Sequence, residues 1–80
     1  MKFFESPLKG SYTIKLEKIE DKRGFFARYW CQNEISKIGL DTNIVQINNS
    51  LSKTKGTIRG LHFQRPPKAE TKIVRCIKGS

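Results

Sequence analysis

The chain has 80 residues, with 16 Lys and Arg against 7 Asp and Glu, a single His and a net charge of +9. That length holds one small domain, burying only about 60% of the surface its unfolded form exposes, which excludes a large multidomain enzyme and argues against a deep, self-sufficient active site. No apolar run approaches the ~20 residues of a membrane span, and the opening Met-Lys-Phe-Phe-Glu-Ser-Pro lacks the apolar core of a secretory signal; a soluble, cytoplasmic protein is the expectation.

In chain order, the first periodic segment is residues 11–18. Tyr12, Ile14 and Leu16 alternate with Thr13, Lys15 and Glu17, the pattern of a half-buried strand. Residues 20–24 (Glu-Asp-Lys-Arg-Gly) form a polar turn, with Gly24 free to take positive φ. Residues 25–30 (Phe-Phe-Ala-Arg-Tyr-Trp) are aromatic enough for a second strand. Residues 33–40 suit a short helix: Asn33 is a cap, Ile35 and Ile38 share a face, and Gly39 ends it. Residues 43–48 (Asn-Ile-Val-Gln-Ile-Asn) read as a third strand with Gln46 and Asn48 on one face. Residues 49–56 are a polar, Lys-rich loop. Residues 57–64 and 71–78 read as the fourth and fifth strands, separated by Arg65-Pro-Pro-Lys68, which an inner strand does not accommodate.

Short strands punctuated by Gly and Pro argue for an all-β domain, an antiparallel sandwich or barrel, over residues 1–80. Five strands are too few for both layers, so the chain reads as a fragment, a truncated product or a subunit completed by another chain. Cys31 and Cys76 lie far apart, neither with a second Cys or a His at metal-ligand spacing. One disulfide between them is the alternative to the favoured reading, two buried free thiols. A single His excludes a His-rich metal site.

The charge is uneven. Residues 1–40 carry eight Lys and Arg against five Asp and Glu; residues 41–80 carry eight against two. Such a surplus attracts anions, whether nucleic acid, phosphate or nucleotide-sugar, and by itself does not choose among them. The chemistry-bearing stretch is Ile58-Arg-Gly-Leu-His-Phe-Gln64. Strand parity puts Arg59 and His62 on opposite faces, but a bulge at Gly60 turns both toward one pocket. Imidazole suits proton abstraction near neutral pH; a strand His satisfied by a hydrogen bond is the plainer reading of the same residues. Lys72, opening the next strand, is either an ammonium for a developing enolate or a solvated strand-entry lysine. Arg23 and Phe26, flanking Gly24, either grip a phosphate and stack a base or make an ordinary turn and a core aromatic. Gln46 and Asn48 are neutral hydrogen-bonders or polar residues on a solvent face. There is no Gly-rich phosphate loop, and no Ser-His-Asp or Cys-His arrangement follows from spacing.

Taken as an ordered set, Asp21-Lys-Arg-Gly-Phe-Phe26, Val45-Gln-Ile-Asn-Asn-Ser50, Ile58-Arg-Gly-Leu-His-Phe-Gln64 and Lys72-Ile-Val-Arg-Cys-Ile-Lys-Gly79 resemble the N-terminal half of the dTDP-4-dehydrorhamnose 3,5-epimerases, from about residue 3 to the last residue. The resemblance implies a cupin-type jelly roll, here with only its N-terminal part and one short helix, that is dimeric with strands shared between subunits. It implies epimerisation at C3 and C5 of dTDP-4-dehydro-6-deoxy-glucose, in dTDP-rhamnose and cell-surface polysaccharide biosynthesis, without metal or other cofactor. By the family pattern His62 is the base, Lys72 stabilises the enolate and contacts substrate, and Arg23, Phe26, Gln46, Asn48 and Arg59 contact substrate. Arg28 departs from it, standing where many members carry Glu after the aromatic pair. The family's downstream half supplies a Tyr acid, a His-Asp pair supporting the base and the remaining strands, so the 80-residue chain is expected to be poorly active or inactive alone. A 3- or 5-epimerase on the same scaffold is the nearest alternative; related ketoisomerases fit the Arg-Gly-Leu-His-Phe-Gln run less well. From another class, a small basic β-barrel would bind single-stranded nucleic acid through Phe25, Phe26, Tyr29 and Trp30 interleaved with Arg23 and Arg28. A gene fragment without activity is the third reading.

Overall fold

The computed structural model describes all residues, 1–80. Its regular structure is antiparallel strand plus one short helix: β1 (Lys2–Glu5), β2 (Tyr12–Lys15), β3 (Lys18–Asp21), β4 (Gly24–Ala27) and α1 (Gln32–Ser36). The strands form two separate hairpins, β1–β2 and β3–β4. Residues divide into two compact units, Met1–Thr42 and Asn43–Ser80, and all regular structure lies in the first.

In the first hairpin Phe3 sits opposite Ile14 and Glu5 opposite Tyr12. Phe3, Tyr12, Ile14 and Leu16 are half-buried while Thr13, Lys15 and Glu17 are exposed, as the alternation of residues 11–18 requires. Strand β1 was not among the expected elements. Lys-Phe-Phe-Glu shows no alternation; it becomes a strand because β2 offers it backbone partners. The connection closes through Ser6, whose N–H donates to the Ser11 carbonyl at 2.8 Å, and turns at Gly10 with φ +83.

The second hairpin corrects the expected turn. Residues 20–24 are not all turn: Lys18–Asp21 is strand, and only Lys22 and Arg23 bridge to β4, with Asp21 opposite Gly24 and Ile19 opposite Phe26. Neither Lys22 nor Arg23 has positive φ, so the bridge is not one of the mirror-image turns that usually join two strands this closely. It uses Asp at the first position and Gly at the fourth, as type I turns favour, and Gly24 absorbs the mismatch at φ +135. Strand β4 is also shorter than the expected 25–30, ending at Ala27.

Helix α1 begins one residue early. Its N-cap is Cys31, with no side-chain cap bond, rather than Asn33. It ends at Ser36, with its C-cap at Lys37, short of the expected residue 40, and the chain then turns through Gly39 at φ +80, whose N–H donates to the Ser36 carbonyl at 3.0 Å. Ile35 is the one fully buried apolar side chain, at 1% exposure, with Trp30, Ile38 and Leu40 half-buried.

The third, fourth and fifth expected strands do not form. Every residue of 43–80 is exposed, Ile58 to 91% and Val45 to 84%. The segments have the apolar residues of strands but no layer to cover them, and strands gain independent stability only as several paired together over a buried face. What survives is local. Thr57 Oγ1 donates to the Thr54 carbonyl at 2.7 Å in the expected loop, and the Lys68 N–H donates to the Arg65 carbonyl at 2.8 Å across the two prolines. Both cysteines are free thiols, but neither is buried: Cys31 is half-exposed and Cys76 exposed, because no core forms over either. No helix is long and apolar enough to cross a membrane.

Candidate functional site

The β3–β4 turn gathers the first candidate residues. Asp21, Arg23, Gly24, Phe25 and Phe26 line a shallow groove, so Arg23 and Phe26 are brought together as the sequence suggested. Asp21 organises the turn twice. Its Oδ1 accepts the Arg23 backbone N–H at 2.8 Å, a turn in which the side chain mimics a backbone acceptor. Its carboxylate also receives the Arg23 guanidinium, Nε on Oδ1 at 3.3 Å and Nη2 on Oδ2 at 2.6 Å. The guanidinium, then the backbone N–H, hold the Asp21 carboxyl below the ordinary range, and the carboxylate raises Arg23 in return. Phe25 has the Lys18 ammonium over its ring at 4.4 Å, a diagonal cross-strand pair. Phe26 is 73% exposed.

Phe26 also borders a second groove, with Met1, Glu17, Ile19, Arg28 and Glu34. Here the N-terminal ammonium sits between Glu17 Oε2 at 3.1 Å and Glu34 Oε1 at 3.0 Å, and Arg28 Nη1 donates to the other Glu34 oxygen at 3.0 Å. The ammonium first, then the guanidinium, lower the Glu34 carboxyl to about 2. The two carboxylates in turn raise the N-terminal amine above its ordinary 8.0, Glu34 contributing most. Arg28, the departure from the family pattern, is therefore held by Glu34 beside the Phe26 ring.

A folded carboxyl lowered from 4.5 to about 2 stabilises the fold fully above pH 4.5 and loses that contribution as pH falls through 2. The raised amine contributes below pH 8.0 and loses its share as pH rises through its elevated value. The clasp is thus at full strength between roughly pH 5 and 8. Acid titration of the Glu34 carboxyl carbon by NMR is expected to give a midpoint near 2; a midpoint near 4.5 means the clasp does not form.

In residues 43–80 the candidates stand apart. Arg59 turns back to the loop, Nη1 on Ser50 Oγ at 2.7 Å and Nη2 on the Leu51 carbonyl at 2.9 Å. Lys72 pairs with Glu70 at 3.5 Å. His62, Gln46 and Asn48 are exposed. The backbone around Gly60 takes φ +117, outside any strand, so the expected bulge does not arise. No three His, Cys, Asp or Glu side chains gather as metal ligands.

Asp21, Glu17 and Glu34 were not among the sequence candidates. Asp21 had a readable signal, an acidic residue opening a tight turn two positions before an Arg. Glu34 had none, because one partner reaches it across a loop and the other is the N-terminus, 33 residues away in the chain.

The dTDP-4-dehydrorhamnose 3,5-epimerase family profile matches residues 5–80. A Sinorhizobium fredii protein described as dTDP-4-dehydrorhamnose 3,5-epimerase is 43% identical over 67 residues, covering 84% of this chain and 34% of the relative. One of the same description from Methanothermobacter thermautotrophicus is 38% identical over 98% of the chain and 41% of the relative. A Streptomyces niveus protein described as dTDP-4-dehydrorhamnose 3-epimerase is 31% identical over 91% of the chain and 35% of the relative. No solved structure matches the chain. The chain thus spans between a third and two-fifths of the length of these relatives. With the profile covering all but its first four residues, the chain belongs to the dTDP-4-dehydrorhamnose 3,5-epimerase family.

Proposed function

We propose that these 80 residues are the nucleotide-gripping and base-bearing portion of an epimerase acting on a dTDP-linked 4-keto-6-deoxy sugar. The observation that carries this reading is the family match over residues 5–80, which takes in Arg23, Phe26, Gln46, Asn48, Arg59, His62 and Lys72 together. The turn groove adds a physical reason, an exposed aromatic ring beside a guanidinium that suits a flat base and its diphosphate.

Carbons 3 and 5 flank the ketone at carbon 4, so removing either proton gives an enolate. His62 takes the proton, since neutral imidazole is the side-chain base best matched to neutral pH. The Lys72 ammonium faces the oxygen where charge develops, a place where a fixed cation lowers the barrier most. Arg59, Gln46 and Asn48 hold the sugar. The proton returns to the opposite face from an acid beyond these 80 residues. In this reading His62 and Lys72 meet only when residues 57–64 and 71–78 pair as neighbouring strands of a cupin-type jelly roll. That roll is completed by the family's remaining length and by a second subunit.

Binding tests the first half of the proposal. The 80-residue chain is expected to bind dTDP saturably and single-stranded oligonucleotides weakly. An affinity for oligonucleotides exceeding that for dTDP and falling steeply with salt would instead mark a nucleic-acid module. Because a one-carbon epimerase is among the relatives, deuterium incorporation in the completed enzyme separates the two chemistries: label at carbons 3 and 5, or at one only.

A further inference from the structure

We infer that Asp21 is a positioning residue for the nucleotide's phosphates, acting through Arg23; this rests on the nucleotide-binding reading above. The Arg23 side chain is 90% exposed on a two-residue turn, where a guanidinium ordinarily samples many rotamers. Here it is fixed. Asp21 engages the Nε and Nη2 edge, leaving the edge formed by Nη1 and the second Nη2 proton directed away from the carboxylate. A guanidinium has two such edges able to make paired hydrogen bonds with an oxyanion. Asp21 occupies one and presents the other, beside Phe25 and Phe26 in the same groove. The same carboxylate fixes the turn through the Arg23 N–H, so backbone and side chain are set by one group. A phosphate arriving at the open edge finds the side chain already ordered.

Two effects of Asp21 oppose each other. Its charge repels a diphosphate, but the ligand binds the far edge, and at physiological salt screening holds that penalty below about twofold. Ordering a long, rotamer-rich side chain during binding costs about three- to tenfold in affinity. Positioning outweighs repulsion.

The test is a double-mutant cycle in the 80-residue chain, with dTDP and thymidine as probes at physiological salt. Asp21→Asn keeps an Oδ1 acceptor for the Arg23 N–H, so the turn persists, and the Ile19–Phe26 cross-strand contact by NMR verifies it. Asp21→Asn is expected to weaken dTDP about threefold and leave thymidine unchanged. It is expected to have no further effect in an Arg23→Gln background, and to broaden the Arg23 Nε–H resonance in the free protein. Asp21→Glu is expected to restore part of the dTDP affinity. Equal or tighter dTDP binding by Asp21→Asn, or the same loss in the Arg23→Gln background, overturns the assignment while the functional reading stands. Failure of the unmodified chain to bind dTDP at all removes the functional reading and this inference with it.

Discussion

Joined to the remaining two-thirds of a family relative, the chain is expected to lose about a hundred- to ten-thousand-fold of its deuterium exchange at carbon 3 when His62 becomes Ala. A positioned general base contributes a factor of that size. Binding of dTDP should change little, since the base works on the sugar ring and the nucleotide is gripped elsewhere. The 80 residues alone should exchange no detectable deuterium, because His62 is exposed and Lys72 is paired with Glu70. If His62→Ala leaves exchange at carbon 3 intact in the completed enzyme, the proton is removed by another group and the mechanism proposed for this chain is wrong.

The parts of the structure legible in the sequence are those held by neighbours in the chain. The alternation of Tyr12, Ile14 and Leu16 translates directly into a half-buried strand, and Gly39 takes the positive φ of the turn that follows the helix. That Arg23 and Phe26 lie together was legible for the same reason, as one tight turn holds both; the groove they line was not. Strand β1 was not, because four residues with two adjacent aromatics carry no period; pairing with β2 makes the strand. Residues 43–48, 57–64 and 71–78 show the opposite failure. Their period is real but no strand forms within these 80 residues, because propensity alone does not supply a ladder. The meeting of His62 with Lys72 proposed above would belong to that class. The family resemblance assigns roles to these residues that local physics does not produce within residues 43–80.

Amide hydrogen exchange should expose that dependence directly. In the 80-residue chain, amides of residues 43–80 are expected to exchange within about tenfold of free-peptide rates, since few of them have a backbone partner. The exceptions are Thr57 and Lys68, whose N–H groups close local turns. In a chain extended to family length, the amides of residues 43–48, 57–64 and 71–78 are expected to slow by about a thousandfold or more, as in the core of a cooperatively folded domain. The driving force is the apolar set now facing water. Ile47 is 82% exposed and Val74 88%, and each such side chain stabilises by about 1.5–3 kcal/mol once fully buried. Alternation sets where protection should fall. Ile44, with Gln46 and Asn48, leaves the third segment on the face opposite Val45 and Ile47, so covering one face presents the two polar candidates on the other. Pairing residues 57–64 with 71–78 would also draw Arg59 away from Ser50 and Leu51, freeing its guanidinium for a ligand. Slow exchange throughout residues 43–80 in the short chain would mean these segments are already paired without the rest of the domain. Fast exchange in the long chain would mean they never form strands, and His62 and Lys72 would then share no site.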